Sequence, residues 1–205
     1  MLIALDYLIK KYRFKPTGAL HVGANIGEES EAYKTAGIKR VVWIEANPDI
    51  FAILKNNLKD LPENECFNIC AGDENKDVIL HESNNAGQSS SILNLGTHRR
   101  NHPTVKFVRD IPVKMFRLED FLGGIDMSGI NYLSMDIQGA ELLALKGMGK
   151  LLEQFNWVYL EVNKEYVYEG NALVGEVDQY LKGFGFKPRE EKWTGAKWGD
   201  KFYSR

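Results

Sequence analysis

Residues 19–30 read ALHVGANIGEES, and residues 41–48 read VVWIEANP. The first stretch is typical of a short apolar strand, a glycine turn and the start of a helix. Gly23 and Gly27 allow the backbone to turn sharply and to approach a ligand where a Cβ atom would clash, and the first N–H groups of the helix point at that ligand. The second stretch is another apolar strand, which ends in Glu45, 22 positions after Gly23. A carboxylate there can accept hydrogen bonds from two ribose hydroxyls, so turn, helix and acid together predict a site for a nucleoside-containing ligand.

The composition indicates one globular domain that covers residues 1–205. Hydrophobic residues make up 44% and aromatic residues 11% of the 205 residues, which is enough for one well-buried core and short for two domains. The 26 Lys and Arg residues against 28 Asp and Glu give a net charge of −2, which provides no general attraction to nucleic acid or to an anionic membrane. No apolar run approaches the ~20 residues of a membrane span, and residues 1–13 mix charged and apolar side chains, unlike a signal peptide. We therefore expect a cytoplasmic protein.

Apolar periodicity and turn residues predict alternating strands and helices after an amphipathic N-terminal helix within residues 1–15. Strands are predicted at 19–22, 40–45, 65–71, 130–136 and 157–162, with a further strand at 77–82, an extended segment at 105–117 and closing strands near 184–192 and 201–204. Helices are predicted at 28–36, 48–58, 118–122, 140–154 and 172–182. Cys66 and Cys70 fall on one side of the same strand but too far apart for a disulfide, so we expect buried free thiols.

Residues 84–103 form a polar, glycine-containing stretch without periodicity. Structureless loops of this length are uncommon inside compact domains and tend to be functional or disordered, so we predict a lid over the substrate. The serines at 89–91 can hydrogen-bond a polar ligand or simply turn the chain. Arg99 and Arg100 would suit a phosphate or a carboxylate, although a surface arginine pair is common.

The alternation of strands and helices predicts a three-layer α/β sandwich with a mostly parallel, Rossmann-like sheet of seven strands. No helix separates the two closing strands, so they should form a hairpin that places an antiparallel strand at the end of the sheet. Ligands of such sheets bind beyond the carboxyl ends of the strands. The residues expected at those ends are Gly23, Glu45, Asp73, Asp136 and Glu161.

A dinucleotide-dependent oxidoreductase would also carry a glycine turn and an acid after its second strand. This chain has the form Gly-x-x-x-Gly between Gly23 and Gly27, rather than Gly-x-Gly-x-x-Gly, and it lacks a second domain for the substrate of a dehydrogenase. The antiparallel end of the sheet also argues against that class. An ordinary strand-turn-helix with one exposed acid is the remaining alternative, which the turn alone would favour but the acid in register disfavours.

The chain carries HVGANIG at 21–27, the acid of VVWIEANP, AGDEN at 71–75, the serines at 89–91 and, most specifically, MDIQGAE at 135–141 followed by LKG at 145–147. Together these motifs resemble the FkbM family of S-adenosylmethionine-dependent methyltransferases. The resemblance spans residues 19–162. It implies a class I methyltransferase fold, S-adenosylmethionine as the cofactor, and O-methylation of a sugar, a glycan precursor or a natural-product intermediate.

The resemblance also implies which residues contact the cofactor. Gly23, Ala24 and Asn25 would line its methionine part, Glu45 would hold the ribose, and Asp73 or its neighbours would meet the adenine amine. The full set is His21, Gly23, Ala24, Asn25, Gly27, Glu45, Ala46, Ala71, Gly72, Asp73, Ser90 and Asp136.

His21 departs from the family pattern. Most relatives carry an acid before V-G-A-N, where it can help to hold the ammonium group of the cofactor. A neutral imidazole could still accept a hydrogen bond, whereas a protonated one would repel the ammonium and the sulfonium, so we expect His21 to be neutral or turned away. A packed, hydrogen-bonded strand histidine is an equal alternative.

Methyl transfer from a sulfonium is an in-line displacement in which positioning supplies much of the catalysis, so a modest base suffices. The candidate catalytic residues are Asp136 and Glu161 at strand ends and His98 in the loop, for which a solvated loop position is the alternative. Glu141 falls in the first turn of a helix, where a structural role is favoured. Asp136, Glu161 and Asn163 could instead hold Mg²⁺, as acids at corresponding strand ends do in catechol-type O-methyltransferases, but no spacing pattern indicates a metal and none is predicted.

Two functions of different classes follow from these residues. The first is an enzyme that methylates an oxygen of a small-molecule or saccharide acceptor, which the acids Glu45, Asp136 and Glu161 favour. The alternative is a non-catalytic, cofactor-binding partner or regulatory subunit, for which His21 is the argument. The expected partner is the acceptor, without nucleic acid and without a membrane span, and no pattern in the chain indicates an oligomeric state.

Overall fold

The fold was determined as a computed structural model that covers residues 1–205. Its ten strands are β1 (Gly18–Val22), β2 (Arg40–Ile44), β3 (Glu65–Phe67), β4 (Cys70–Gly72), β5 (Lys76–Ser83), β6 (Phe107–Arg117), β7 (Tyr132–Met135), β8 (Trp157–Asn163), β9 (Lys187–Trp193) and β10 (Trp198–Ser204). Its α-helices are α1 (Leu5–Tyr12), α2 (Ser30–Thr35), α3 (Pro48–Asn57), α4 (His98–Asn101), α5 (Leu118–Leu122), α6 (Glu141–Met148) and α7 (Val174–Gly183). None of the helices is long and apolar enough to cross a membrane.

Seven strands form one sheet in the order β3-β2-β1-β7-β8-β10-β9. The strands from β3 to β8 in this order are parallel, and β10 runs antiparallel to both of its neighbours. The closing hairpin therefore inserts β10 between β8 and β9. This architecture confirms the predicted α/β fold with a mostly parallel sheet and an antiparallel end.

Two apolar cores lie on opposite faces of this sheet because successive strand residues alternate between the faces. On one face, α1, α2 and α3 contribute to a core that includes Trp43, Tyr132 and Phe202. On the other, α5, α6 and α7 contribute to a core that includes Leu20 and Leu133. Each fully buried leucine of this kind stabilises the fold by about 1.5–3 kcal/mol relative to an exposed one.

The prediction of a single strand at 65–71 is wrong, because the chain there divides into β3 and β4, which belong to different sheets. Asn68 lies between them and donates from its side-chain amide to the carbonyl oxygens of Glu45 (2.8 Å) and Ala46 (3.1 Å). These bonds hold the chain at the end of β2 while it changes direction. Cys66 and Cys70 therefore lie on separate strands, as free thiols of which only the second is buried.

A second, smaller sheet has the order β4-β6-β5, with β4 parallel and β5 antiparallel to β6. The extended conformations at 77–82 and 105–117 agree with the prediction, but the separate sheet was not foreseen. The predicted helix at 140–154 ends earlier, since α6 stops at Met148 and a 3₁₀ segment, Gly149–Gln154, follows it.

Residues 84–103 are more ordered than their composition indicates. Ser91 forms an isolated bridge with His81, and Leu95, which is buried, forms another with Tyr168. The segment also contains the short helix α4. It is thus tied at several points to the body of the molecule.

Candidate functional site

A cavity of about 440 Å³ lies beyond the carboxyl ends of the parallel strands. It is lined by residues at or near the ends of β1, β2, β7 and β8, by residues of β4, by residues 85 and 87–92, and by the first residue of the chain. This is the place at which α/β sheets of this topology bind their ligands. Its size is in the range of small-molecule sites.

The glycine turn after β1 is wedged between two strands. Gly23 has a φ of 84°, and a Cβ atom at this position would overlap the carbonyl oxygen of Asp136 at the end of β7. The backbone N–H groups of Gly23 and Ala24 both donate to the carbonyl oxygen of Ile44 at 2.9 Å. Only glycine therefore allows the turn to lie this close to both neighbours.

The predicted residues of this turn divide between the cavity and the core. Gly23 and Asn25 line the cavity. Ala24 packs instead in the core on the α1 face, and Gly27 approaches α3, where a Cβ atom would lie 2.9 Å from Leu54. The helix after the turn begins at Ser30, two residues later than predicted.

Glu45 is held beside the turn by backbone amides. Its Oε2 accepts from the N–H of Asn25 at 2.8 Å, and its Oε1 accepts from the N–H of Asn47 at 2.7 Å. Burial raises the pKa of this carboxyl group, and these hydrogen bonds partly oppose the shift. Each carboxylate oxygen keeps a further lone pair, so the pair of oxygens can still accept from vicinal hydroxyls. Glu45 and Ala46 both line the cavity, as expected for a ribose site.

The strand break after β3 moves two predicted residues away from the cavity. Ala71 lines it together with Ile69 and Cys70, which form an apolar wall. Gly72 and Asp73 do not line it, because β4 turns into the smaller sheet and Gly72 faces Met115 of β6. The placement of Asp73 at the ligand end of the main sheet is therefore wrong.

His21 is a packed histidine of β1. It is 3% exposed, its ring stacks on Trp43 with centroids 5.0 Å apart, and its Nδ1 lies 2.7 Å from the hydroxyl of Tyr33. Burial lowers the pKa of the imidazole, which agrees with the expectation of a neutral ring. Glu29 lies 4.0 Å from His21 Nε2 and lines the cavity, so a carboxylate is still present near this wall.

Asp136 and Glu161 face each other at the ends of β7 and β8 and are linked by an amide. Gln138 Nε2 donates to Asp136 Oδ1 at 2.6 Å and to Glu161 Oε2 at 3.1 Å. Asp136 is exposed to the cavity, and partial desolvation by the surrounding protein together with the nearby Asp200 carboxylate raises its pKa to about 6. Glu161 is 4% exposed, and burial and Asp136 raise its pKa well above the usual value. Asp136 and Glu161 are therefore two carboxyl groups with raised pKa values that lie together at one end of the cavity.

Glu141 serves the backbone of the loop that precedes α6. Its carboxylate accepts from the N–H of Ile137 at 3.0 Å and from the N–H of Gly139 at 3.1 Å. Burial and the neighbouring Asp136 raise its pKa to about 7. These contacts fit the structural role predicted for this acid.

The residues of the predicted alternative metal site do not fit a divalent cation. Ligand atoms of Asp136, Glu141 and Glu161 lie within 4.8 Å of one another, but the amide of Gln138 already bridges two of the carboxylates and backbone amides hold the third. The Oδ1 atom of Asn163 is buried without a hydrogen-bond partner, and Asn163 does not line the cavity. The amide of Gln138 therefore lies between the two acids that a bridging Mg²⁺ ion would have to join.

His98 contributes a buried imidazole to the cavity. It is 5% exposed, and its Nδ1 has no hydrogen-bond partner in the protein. Burial and the adjacent His102, whose ring centroid is 4.9 Å away, lower its pKa. A neutral imidazole with an unused nitrogen at the wall of a cavity can take a proton from a ligand.

The loop that carries His98 also brings serines to the site. Ser90 lines the cavity, and its hydroxyl accepts from the N–H of Ser83 at 3.1 Å. Ser91 donates to the carbonyl oxygen of Gln138 at 2.7 Å, which joins the loop to the MDIQGAE motif. Arg99 and Arg100 do not line the cavity, and Arg100 pairs with Glu165 at 3.5 Å.

Sequence reasoning missed Asp200 and Tyr159 in the site. Asp200 stands opposite Glu161 in the β8–β10 ladder, is 4% exposed, and accepts from the hydroxyl of Tyr159 and the N–H of Leu2. The closing strand was predicted from residue 201, so Asp200 fell just outside it. Only the antiparallel register places this acid beside Glu161.

Solved structures with a similar fold are methyltransferases. The ribosomal protein L11 methylase of Lactobacillus delbrueckii subsp. bulgaricus is 13% identical, with a TM-score of 0.54 over 98% of this chain and 75% of its own. TrmK of M. capricolum, in complex with S-adenosylhomocysteine, is 7% identical, with a TM-score of 0.56 over 100% of this chain and 69% of its own. The chain therefore has the class I methyltransferase fold, and its cavity lies where this fold binds its ligand.

The particular family follows from the sequence match. The FkbM methyltransferase domain matches residues 21–188, so the chain belongs to this family and the resemblance seen in its motifs is confirmed. The 2-O-methyltransferase NoeI of Sinorhizobium fredii is 26% identical over 172 residues, which are 80% of this chain and 71% of NoeI.

Proposed function

We propose that this protein transfers the methyl group of S-adenosylmethionine to a hydroxyl oxygen of a small polar acceptor, such as a sugar, a glycan precursor or a natural-product intermediate. The observation that carries the proposal is the buried imidazole of His98, which lines the same cavity as Glu45 and Asp136. Burial lowers the pKa of this ring, which favours its neutral form. A neutral imidazole at the wall of the cavity can take the proton of an acceptor hydroxyl. The relative NoeI is a 2-O-methyltransferase, which supports the choice of oxygen as the methyl acceptor.

The cofactor contacts form the first part of the proposal. Glu45 holds the ribose, and the wall of Ile69, Cys70 and Ala71 packs against the adenine. Gly23 and Asn25 approach the methionine part, and Asp136 lies beyond them, where the methyl group is expected. S-adenosylmethionine, when bound, supplies the electrophilic methyl group.

The protein's own residues then supply orientation and proton transfer. Bound S-adenosylmethionine would supply a methyl group to the acceptor oxygen in line and leave as S-adenosylhomocysteine, and His98 would take the hydroxyl proton. Asp136, ionised above about pH 6, orients the hydroxyl by accepting a hydrogen bond from it. The raised pKa of Glu161 favours its protonated form, which can donate to a second oxygen of the acceptor.

The charge of the cavity bears on the class of acceptor. Its lining contains six carboxyl groups and no lysine or arginine; the acids are Glu28, Glu29, Glu45, Asp136, Glu161 and Asp200. A phosphate or carboxylate on the reacting group would be repelled there, since like charges ~8 Å apart at an effective dielectric of ~20 disfavour each other by about 2 kcal/mol. We therefore propose an uncharged hydroxyl compound, without nucleic acid as a partner.

The surrounding architecture completes the proposal. Residues 1–205 act as one methyltransferase domain, in which residues 1–15 pack on the main sheet. Residues 84–103 act as a lid, because they carry both His98 and the serines of the cavity wall. The hydrogen bond from Ser91 to the MDIQGAE motif would link closure of this lid to the catalytic acids.

Calorimetric titration with S-adenosylmethionine and S-adenosylhomocysteine, with and without Mg²⁺, tests the cofactor part. We expect stoichiometric binding that Mg²⁺ does not change. A screen of neutral sugars, nucleotide-sugars, uronic acids and sugar phosphates, followed by S-adenosylhomocysteine release, then tests the acceptor part. Binding of neither nucleoside would contradict the enzyme proposal and favour a non-catalytic role. Turnover of sugar phosphates in preference to neutral sugars would contradict the proposed acceptor class.

A further inference from the structure

Gln138 is the centre of the hydrogen bonds at the acid end of the cavity. Its Nε2 donates to Asp136 and Glu161, and its Oε1 accepts from the hydroxyl of Tyr168 at 2.6 Å. Its own carbonyl oxygen accepts from Ser91 of the loop at 2.7 Å. All polar groups of the Gln138 side chain therefore form hydrogen bonds, and the partner residues come from different segments of the chain.

The backbone of Gln138 is held in an unfavourable conformation to make these contacts. Its φ is 55°, in the left-handed region, where residues other than Gly, Asn and Asp are uncommon. Gly139 follows with a φ of 98° and packs against Tyr168 and Asn171. Non-glycine residues in this region persist where the surroundings compensate for the strain, and such positions cluster at functional sites.

The amide of Gln138 stands where a cation would otherwise join the two acids. A divalent cation bridges carboxylates by accepting their lone pairs, whereas here the two N–H bonds of one amide donate to an oxygen of Asp136 and an oxygen of Glu161. The bridge is neutral, so it fixes the carboxylates without a strong lowering of their pKa values, as a cation would cause. The oxygens not bonded to Gln138 remain for the acceptor.

We propose that Gln138 is a positioning residue, whose side-chain amide bridges Asp136 and Glu161 in place of a metal ion and holds them toward the acceptor. This inference rests on the proposed methyl transfer for its catalytic consequence. The bridge itself can be tested without cofactor or acceptor. Failure of the bridge is thus distinguishable from failure of the proposed function, which the nucleoside titration tests.

The first experiment compares Mn²⁺ binding by the wild-type protein and by Gln138→Glu, through the melting temperature and calorimetry. The substitution keeps the shape of the side chain but replaces the bridging donors by a third carboxylate. We expect no effect of Mn²⁺ on the wild type and a rise of about 5 °C in the variant at a concentration ~100 times its Kd. Mn²⁺ binding by the wild type that Asp136→Asn removes would overturn the proposal. A folded Gln138→Glu variant that Mn²⁺ does not stabilise would also overturn it.

The second experiment separates positioning from a structural role by Gln138→Asn. Asparagine tolerates the left-handed conformation better than glutamine, but it is one methylene shorter and cannot reach both carboxylates. We expect an unchanged or higher melting temperature, S-adenosylmethionine affinity within about twofold, and a kcat lowered by about 30-fold, equivalent to the loss of charge-assisted hydrogen bonds. Unchanged kcat in this variant would show that the bridge does not position the acids.

Discussion

At the scale of single residues, the proposed base His98 carries a cost in stability. A buried polar atom without a partner costs about 1–3 kcal/mol, and His98 Nδ1 is such an atom. We predict that His98→Phe, which keeps the ring contacts with His102 and Tyr168, lowers kcat by about 10²- to 10³-fold. The melting temperature should stay the same or rise.

His81→Gln provides the matched control for this prediction. His81 lies on β5, where its Nδ1 is 2.6 Å from Asp110 Oδ1, and it does not line the cavity. We would measure kcat for both variants with an acceptor that the wild-type protein methylates, and the melting temperature of both by thermal denaturation. Equal kcat values for His98→Phe and the wild type would remove His98 from proton transfer.

Residue types also show how far the sequence predicts the site. Glu45, Asp136 and Glu161 were predicted because they are acids at the carboxyl ends of strands, and the structure places all three at the cavity. Gln138 and Asp200 were missed, because an amide in a loop and an acid in a closing strand carry no signal of their own. Their importance arises from contacts across the sheet, which depend on tertiary structure.

At the scale of elements, the turn between β1 and α2 depends on Gly23. An alanine there combines two penalties, a positive φ of 84° and overlap of its Cβ with the Asp136 carbonyl oxygen. We predict that Gly23→Ala lowers stability by more than ~3 kcal/mol, or about 6 °C or more in melting temperature, and abolishes cofactor binding.

Gly37→Ala isolates the conformational part of that cost. Gly37 has a φ of 76°, but a Cβ atom at this position meets nothing within 4 Å. Its substitution should cost only about 1–2 kcal/mol and leave cofactor affinity unchanged. Thermal denaturation and calorimetric titration of both variants make the comparison. Similar losses of stability and of cofactor affinity in the two variants would contradict the close packing of Gly23 between β2 and β7.

The element boundaries show where local pattern stops being informative. Strands β1, β2, β7 and β8 of the main sheet were predicted because they are apolar runs flanked by turn residues. The break at Asn68 was missed, since the residues from Glu65 to Ala71 keep a strand-like character throughout. The side-chain amide of Asn68 settles the outcome by bonding to residues more than twenty positions away, and the error in Asp73 follows from it.

At the scale of the whole molecule, folding raises the pKa values of carboxyl groups at the cavity and directly beside it. The pKa rises to about 6 for Asp136 and to about 7 for Glu141. A carboxyl group with a raised folded-state pKa contributes stability that is present below its unfolded pKa and is lost as the pH rises through the folded value. The relevant window is therefore about pH 4 to 7.

We predict that Asp136→Asn, which can keep the hydrogen bond from Gln138, gains stability relative to the wild type as the pH rises. The difference in melting temperature should be near zero at pH 4 and reach about 3 °C at pH 8, or roughly 1 kcal/mol for a chain of this size, because Asp136 is partly screened by water in the cavity. Thermal denaturation across this range is the measurement. A difference in melting temperature that stays the same across this pH range would contradict the raised pKa of Asp136.

The cavity without lysine or arginine also bears on how a reaction cycle would end. S-adenosylmethionine carries a net positive charge, and S-adenosylhomocysteine carries none, so a wall of carboxylates attracts the reactant more than the spent cofactor. The proton left on His98 would balance the lost charge only until it escapes to solvent. After the proton has left, the carboxylates would no longer attract the bound S-adenosylhomocysteine. A positively charged molecule of S-adenosylmethionine would then displace it at a lower concentration than an uncharged competitor would need.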